Sequence, residues 1–212
     1  FSVGESLFGY PIRVPGHETR ELVLEWTDAQ EAYAKAIAVL KSAGYDPARL
    51  TLKSAGSPTF RRHCRGTVAN EVSVGSAFVK PGDFDYEDLA DLAPAAFIAT
   101  PVLKTTGPVR IPGLGAGSRL LSWWDVNRRE TAFLYGGNWM ADYVSPPGVH
   151  ANSLYGRSSN QEIANVSPSA GLRVDDLVFL RPRQSEAVLL QFGELLAVRG
   201  DRLAERWPVY AD

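Results

Sequence analysis

Ser54, Gly56, Ser57 and Thr59 lie in the loop Ser54-Ala55-Gly56-Ser57-Pro58-Thr59, which follows the short strand-like run Leu50 to Lys53. With so few side chains in the way, backbone N–H groups can close around an anion, and the three hydroxyls add donors. A helix starting just beyond Thr59 would contribute the positive end of its dipole. The chemistry open to this pattern is phosphate binding. An ordinary strand-to-helix turn has the same composition, and the residues alone leave both readings open. Arg61, Arg62 and Arg65 follow at once. They can serve a phosphate, although a solvated helix face is the preferred reading of that cluster.

Three polar groups in the second half interrupt apolar runs: Gly136-Gly137-Asn138-Trp139, Ser158-Ser159-Asn160-Gln161-Glu162, and Arg181-Pro182-Arg183-Gln184-Ser185-Glu186. The paired glycines let backbone approach a ligand closely. Amides and a carboxylate can orient a small polar substrate, and Glu186 is suited to proton transfer. Hydrated β-turns explain each group equally well. None has the His/Cys/Asp spacing of a metal site. His63 and Cys64 are adjacent, so their side chains point apart, and both are read as structural. His17, on a loop, is left unassigned.

The elements that must position these residues differ between the two halves. Phe1 to Val14 reads as a strand end opening into a loop. Thr27 and Gln30 form a capping-box pattern, and Tyr33, Ala36, Ile37 and Leu40 form the apolar stripe of a helix that Gly44 stops. Helix, turn, strand and phosphate-type loop is the rhythm of an α/β layer or barrel. A strand is expected over Val72–Val79, a turn at Lys80–Asp83, and a short helical piece within Tyr86–Leu92. Ala95–Leu103, Val109–Leu114, Ser118–Asp125, Thr131–Tyr135, Ser153–Tyr155, Leu177–Arg181, Ala187–Phe192 and Leu195–Val198 then read as strands between Gly, Pro, Asn and Asp turns. The expected class is α/β followed by an all-β domain, with the boundary near residue 90 (domains 1–90 and 91–212).

Composition narrows the function. With 212 residues, 45% of them hydrophobic, the chain can bury a sizeable core. A net charge of −2 with scattered arginines disfavours nucleic acid. The single cysteine excludes an intrachain disulfide framework and fits a reducing cytoplasm. No apolar run approaches the roughly 20 residues of a membrane span, and no positively charged, then apolar, leader is read in the given residues. The chain is read as beginning partway through something.

In order and spacing, the segments resemble the D-threonine aldolase and D-serine dehydratase group of pyridoxal-phosphate enzymes, with the alanine-racemase-like fold. The matching pieces are Ser54–Thr59, Asn70–Phe78, Gly136-Gly137, Gln161-Glu162, Leu172–Val178, the Pro182 loop and Arg206-Trp207-Pro208-Val209. The resemblance implies the latter part of a (β/α) barrel that holds pyridoxal phosphate, followed by a C-terminal β domain that covers it. It also implies that Ser54, Gly56, Ser57 and Thr59 hold the cofactor's phosphate, and that the protein is a homodimer. The implied substrate is a D-amino acid or 3-hydroxy amino acid, undergoing aldol cleavage, dehydration or racemisation.

Two departures qualify it. The family's Schiff-base lysine lies upstream of the matched pieces, and Lys53, the lysine nearest the loop, is read as structural. Where metal-dependent members carry His and Cys or Asp two apart, this chain has Gln184 and Glu186, and Ile163 stands where His-Gly often follows the Glu. No zinc is expected, since zinc prefers imidazole and thiolate. A harder divalent cation with oxygen ligands stays as an alternative. Gln184 and Glu186 are expected to contact the substrate directly. The competing readings are a non-catalytic module that binds a small molecule or a partner, and a barrel completed by a second polypeptide.

Overall fold

Helix α1 spans Glu18–Ser42 in the computed structural model, which describes residues 18–108 and 129–209. Thr27 therefore lies inside the helix, not at its cap, because Glu21-Leu22-Val23-Leu24-Glu25 contains no residue that would stop it. Gln30 has another task. Its Oε1 accepts the Val68 N–H at 3.1 Å and the Thr67 hydroxyl at 3.2 Å. At the C-terminus Gly44 (φ +89°) occupies the expected C′ position. Tyr45 N–H donates to the Leu40 carbonyl and Gly44 N–H to the Lys41 carbonyl, which satisfies two orphan acceptors of the last turn.

Tyr33 is the fully buried member of the expected apolar stripe, while Ile37 and Leu40 are half-buried. Its hydroxyl donates to the Lys53 carbonyl at 3.2 Å and so ties α1 to strand β1, Lys53–Ser54. β1 pairs in parallel with β2, Glu71–Val72. The Asn70 carboxamide extends this short ladder, accepting from Leu52 N–H at 2.8 Å and donating to the Leu50 carbonyl at 2.9 Å. The longer strand expected over Val72–Val79 is not formed. Ser76–Phe78 winds into a single 3₁₀ turn after Gly75, and Lys80 takes a positive φ of 41°. The Lys80 ammonium donates to the Leu92 carbonyl at 2.7 Å.

The chain divides into two compact units between Ala95 and Ala96. In the second, six strands run in the order β5-β8-β3-β4-β7-β6, all antiparallel. They are β3 Ile98–Thr106, β4 Glu130–Tyr135, β5 Ala141–Ser145, β6 Val149–Ala151, β7 Gln161–Val166 and β8 Leu177–Pro182. The end strands β5 and β6 approach each other, so the sheet is a nearly closed barrel. Alternate residues fill its interior: Ile98 and Val102 from β3, Ala132 and Leu134 from β4, Ala164 and Val166 from β7, Val178 and Leu180 from β8.

β3, β4 and β8 lie close to where strands are expected, but β5, β6 and β7 are not foreseen. Ser153–Tyr155 is a turn, not a strand. Asn152 Oδ1 accepts the Leu154 and Tyr155 N–H groups, each at 3.0 Å, and bends the backbone there. The strand expected over Ala187–Phe192 is also replaced, by the short helix α2, Ser185–Leu189, which buries Val188 in the core. The expected strands Val109–Leu114 and Ser118–Asp125, the opening run Phe1–Val14 and His17 lie outside the described residues. A separate hairpin, β9 Glu194–Arg199 and β10 Arg202–Pro208, comes last, and β9 contains the expected strand Leu195–Val198.

Candidate functional site

In the first unit, β1 and β2 each end in a loop of small residues, Ser54–Thr59 after β1 and Ser73–Ser76 after β2. Ser73 N–H donates to the Ser54 carbonyl at 3.1 Å, which carries the parallel pairing to the mouth of both loops. Ala55 takes a left-handed φ of 77°, and a Cβ at Gly56 would meet only the Pro58 Cδ at 3.8 Å. The Gly56 carbonyl accepts from Thr59 and Phe60 N–H, turning the chain tightly, and the Gly56 N–H points to Thr59 Oγ1 at 3.4 Å.

Ser57 Oγ accepts the Ala77 N–H at 2.9 Å and braces the two loops against each other. Its own proton remains available for a ligand. Ser54, Ser57 and Thr59 are 5%, 7% and 8% exposed, so their hydroxyls are set in the fold and not on a solvated tip. The expected helix dipole is absent. Thr59 is succeeded by a six-residue 3₁₀ segment, Phe60–Arg65, too short to sum a macrodipole. Two of the three arginines behind the loop are also engaged elsewhere. Arg62 is buried and paired with Asp88 at 2.5 Å, so it is no solvated face, while the more exposed Arg61 pairs with Asp91 at 2.8 Å. His63 is buried, its Nδ1 2.8 Å from Thr67 Oγ1, and Cys64 is exposed.

The second unit places Gln184 and Glu186 together at the end of β8. Gln184 is the residue before α2, and Glu186 is in its first turn, exposed to solvent. Glu162, expected as part of a hydrated turn or a substrate-orienting group, lies inside the barrel instead. Glu162 is 1% exposed, in phase with Ala164 and Val166 and opposite Leu134. An unpaired carboxylate there would cost several kcal/mol, on the order of its desolvation penalty. Three donors offset that: Asn138 N–H to Oε2 at 2.9 Å, Tyr143 hydroxyl to Oε1 at 2.7 Å, and a close ion pair from Arg157 to Oε1. Arg157 also donates to the Ala141 carbonyl at 2.6 Å and lies over the Tyr143 ring. Burial, and then the neighbouring Glu162 carboxylate, hold the Tyr143 phenol well above its ordinary pKa.

The structure thus gathers Ser54, Gly56, Ser57 and Thr59 in one loop of the first unit and Gln184 and Glu186 in one turn of the second. The signal for Glu162 was a lone carboxylate two residues ahead of Ala164 and Val166 in the same strand phase. Among the described residues, no group of three or more His, Cys, Asp or Glu stands close enough to hold a metal ion. No described helix is long and apolar enough to cross a membrane.

No family model matches the sequence, and no curated protein matches it. Solved structures do. The crystal structure of D-threonine aldolase from Filomicrobium marinum matches with a TM-score of 0.67 and 19% sequence identity, over 87% of this chain and 47% of that one. The chain therefore spans about half the length of that aldolase. Together with the nearly closed antiparallel barrel, this comparison gives the chain its place: it carries a D-threonine aldolase-like fold.

Proposed function

We propose that this chain supplies the cofactor-phosphate loop and a substrate-facing rim to a pyridoxal-phosphate-dependent enzyme acting on a D-amino acid or 3-hydroxy amino acid. The observation that carries the reading is the pair of cross-braced small-residue loops, at the ends of two parallel strands, in a chain of this fold. The donor set fits a phosphate: buried hydroxyls, no carboxylate side chain within Ser54–Thr59, and only an ordinary contact with the Pro58 Cδ beside Gly56.

When bound, pyridoxal phosphate supplies an electron sink for charge developing at the substrate's Cα. Ser54, Gly56, Ser57 and Thr59 would grip the phosphate and fix the ring's position. Gln184 would orient the substrate through its amide, and the Glu186 carboxylate would take up or return the proton of the substrate's 3-hydroxyl. Cleavage, dehydration and racemisation share only the joining of substrate to cofactor: cleavage then needs the 3-hydroxyl proton removed, dehydration needs that hydroxyl protonated as it leaves, and racemisation does not involve it.

Absorbance titration of the protein with pyridoxal phosphate, followed by borohydride reduction and peptide mapping, tests the reading. Saturable binding that Ser57→Ala weakens at least tenfold is expected. Binding that ignores substitutions at Ser57 and Thr59 overturns the phosphate assignment.

The second reading is a non-catalytic small-molecule-binding module of the same fold. Within this chain Lys35, Lys41, Lys53 and Lys104 are exposed, and the buried Lys80 directs its ammonium at the Leu92 carbonyl. Saturable cofactor binding without borohydride fixation and without turnover of any D-amino acid would place this reading first.

A further inference from the structure

We propose that Glu162 is a positioning residue for Gln184 and Glu186: from inside the barrel it fixes the rim segment Gly136–Tyr143, and that segment fixes the turn bearing both side chains. The functional half of this inference rests on the reading that Gln184 and Glu186 meet the substrate. The structural half stands on the contacts themselves.

Glu162 fastens the segment Asn138–Tyr143 at three places. Oε2 takes the Asn138 N–H at 2.9 Å, Oε1 takes the Tyr143 hydroxyl at 2.7 Å, and Arg157, paired with Oε1, reaches the Ala141 carbonyl at 2.6 Å. The backbone entering the segment has little conformational freedom. Gly136, Gly137 and Asn138 all have positive φ (72°, 133° and 55°), and the Glu162 side chain fills the space where a Cβ of residue 137 would stand. A non-glycine residue in the left-handed region is held there by its surroundings, and Asn138 is held by Glu162.

The same segment also grips the turn after β8. Ala141 pairs with Pro182 in the ladder, and the Met140 carbonyl accepts the Arg183 N–H at 2.8 Å. The Trp139 ring packs against Phe192, which lies just beyond α2, with centroids 6.0 Å apart. Gln184 lies directly after Arg183, and Glu186 is in the helix between Arg183 and Phe192. Both ends of the stretch bearing the two side chains are therefore held by Met140 and Trp139, which lie between the residues that Glu162 and Arg157 fasten. Hydrogen-bonded networks of this kind transmit the loss of one member to the others.

The test is residue-resolved amide hydrogen exchange on the full chain, for Glu162→Gln and for the milder Tyr143→Phe, which removes one donor and keeps the carboxylate in case the first does not fold. Arg183 N–H is expected to exchange at least tenfold faster in each folded variant, with the β8 ladder amides of Val178 to Leu180 unchanged. Unchanged exchange at Arg183, or acceleration in step with Val178, overturns the proposal. If the wild-type protein fails to bind pyridoxal phosphate, the proposed function falls, while the exchange result still decides the rim assignment. If it binds the cofactor and turns over a D-3-hydroxy amino acid, the variants are expected to lower kcat/KM about tenfold with cofactor Kd unchanged. An unchanged kcat/KM then overturns the positioning role.

Discussion

Ser57 Oγ and the Ala77 N–H meet at 2.9 Å across 20 residues of chain, joining the loops that extend from two parallel strands. In parallel α/β architectures the carboxyl ends of neighbouring strands are where ligands gather, because loops from separate strands converge there. The brace makes the two loops one rigid cradle. It also leaves the serine proton pointing away from the bond it accepts.

Ser57→Ala should therefore be destabilising beyond the loss of one surface hydroxyl. It leaves the buried Ala77 N–H without its acceptor, worth about 1–3 kcal/mol. Chemical denaturation should show a lower midpoint with an unchanged slope. Ser57→Thr, which keeps the acceptor, should restore most of the difference. Equal stability of all three proteins would mean that the two loops hold together without the brace.

Gly137→Ala should be far more damaging than an ordinary loop substitution. Its Cβ would press on the Ser158 carbonyl oxygen and stand within 2.6 Å of the Glu162 side chain, with φ at +133°. Neither neighbour can give way, since one is backbone and the other a carboxylate locked by three donors. A loss of more than about 3 kcal/mol is expected, in the class of buried-network disruptions. Gly156→Ala is the control, because no atom lies within 4 Å of a Cβ there, although its φ is also positive. Similar losses at both positions would reduce the effect to backbone strain alone.

Helix α1 and strands β4 and β8 were legible from their apolar residues. The stripe through Tyr33 repeats at helical spacing, and Thr131–Tyr135 and Leu177–Arg181 are short, nearly continuous apolar runs of strand length. The small-residue loop after β1 was legible from residue types, but its use was not, since an ordinary turn after a strand has the same composition. β7 was hidden because its inward residue Glu162 is charged, and Gln161-Glu162-Ile163-Ala164-Asn165-Val166 puts a polar residue on each face. Whether a carboxylate lies in a core depends on Tyr143, Arg157 and the Asn138 N–H, which only the folded sheet brings near it. α2 was hidden for another reason: five residues are too few to display a helical period, so Ala187–Phe192 read as a strand.

Asn152→Ala should open the β6–β7 connection without unfolding the barrel. The Asn152 side chain accepts from two backbone N–H groups and donates to Asn165 Oδ1 at 2.9 Å, all through one buried carboxamide. Losing it should lower stability by about 2–3 kcal/mol. It should also raise amide exchange at Leu154 and Tyr155 before any change in β4. Asn152→Asp keeps the acceptor for the two N–H groups but sets a negative charge against Asn165 Oδ1, and should fall between the two. Exchange that rises equally in β4 would show the loop and barrel opening as one unit.

Tyr143→Phe gives a pH signature whose sign is set by linkage. In the folded protein the phenol is held above its ordinary value of 10.0 by burial and by the Glu162 carboxylate. Its contribution is therefore fully present below pH 10. Above that, the unfolded chain releases this proton and the folded one keeps it, so stability falls by about 1.4 kcal/mol per pH unit from this group alone. The phenylalanine variant lacks that titration but has lost the hydroxyl bond to Glu162, which makes it less stable at neutral pH by about 1–3 kcal/mol. Unfolding free energies measured at pH 8, 9, 10 and 11 should thus show a constant gap between the two proteins up to pH 9, narrowing from pH 10 upward. Tyr33, also buried with a raised phenol, titrates identically in both proteins and cancels from the difference. A gap that stays constant to pH 11 would mean that the Tyr143 proton is released as easily from the folded barrel as from the open chain. Glu162 and Arg157 would then not enclose it as the hydrogen bonds indicate.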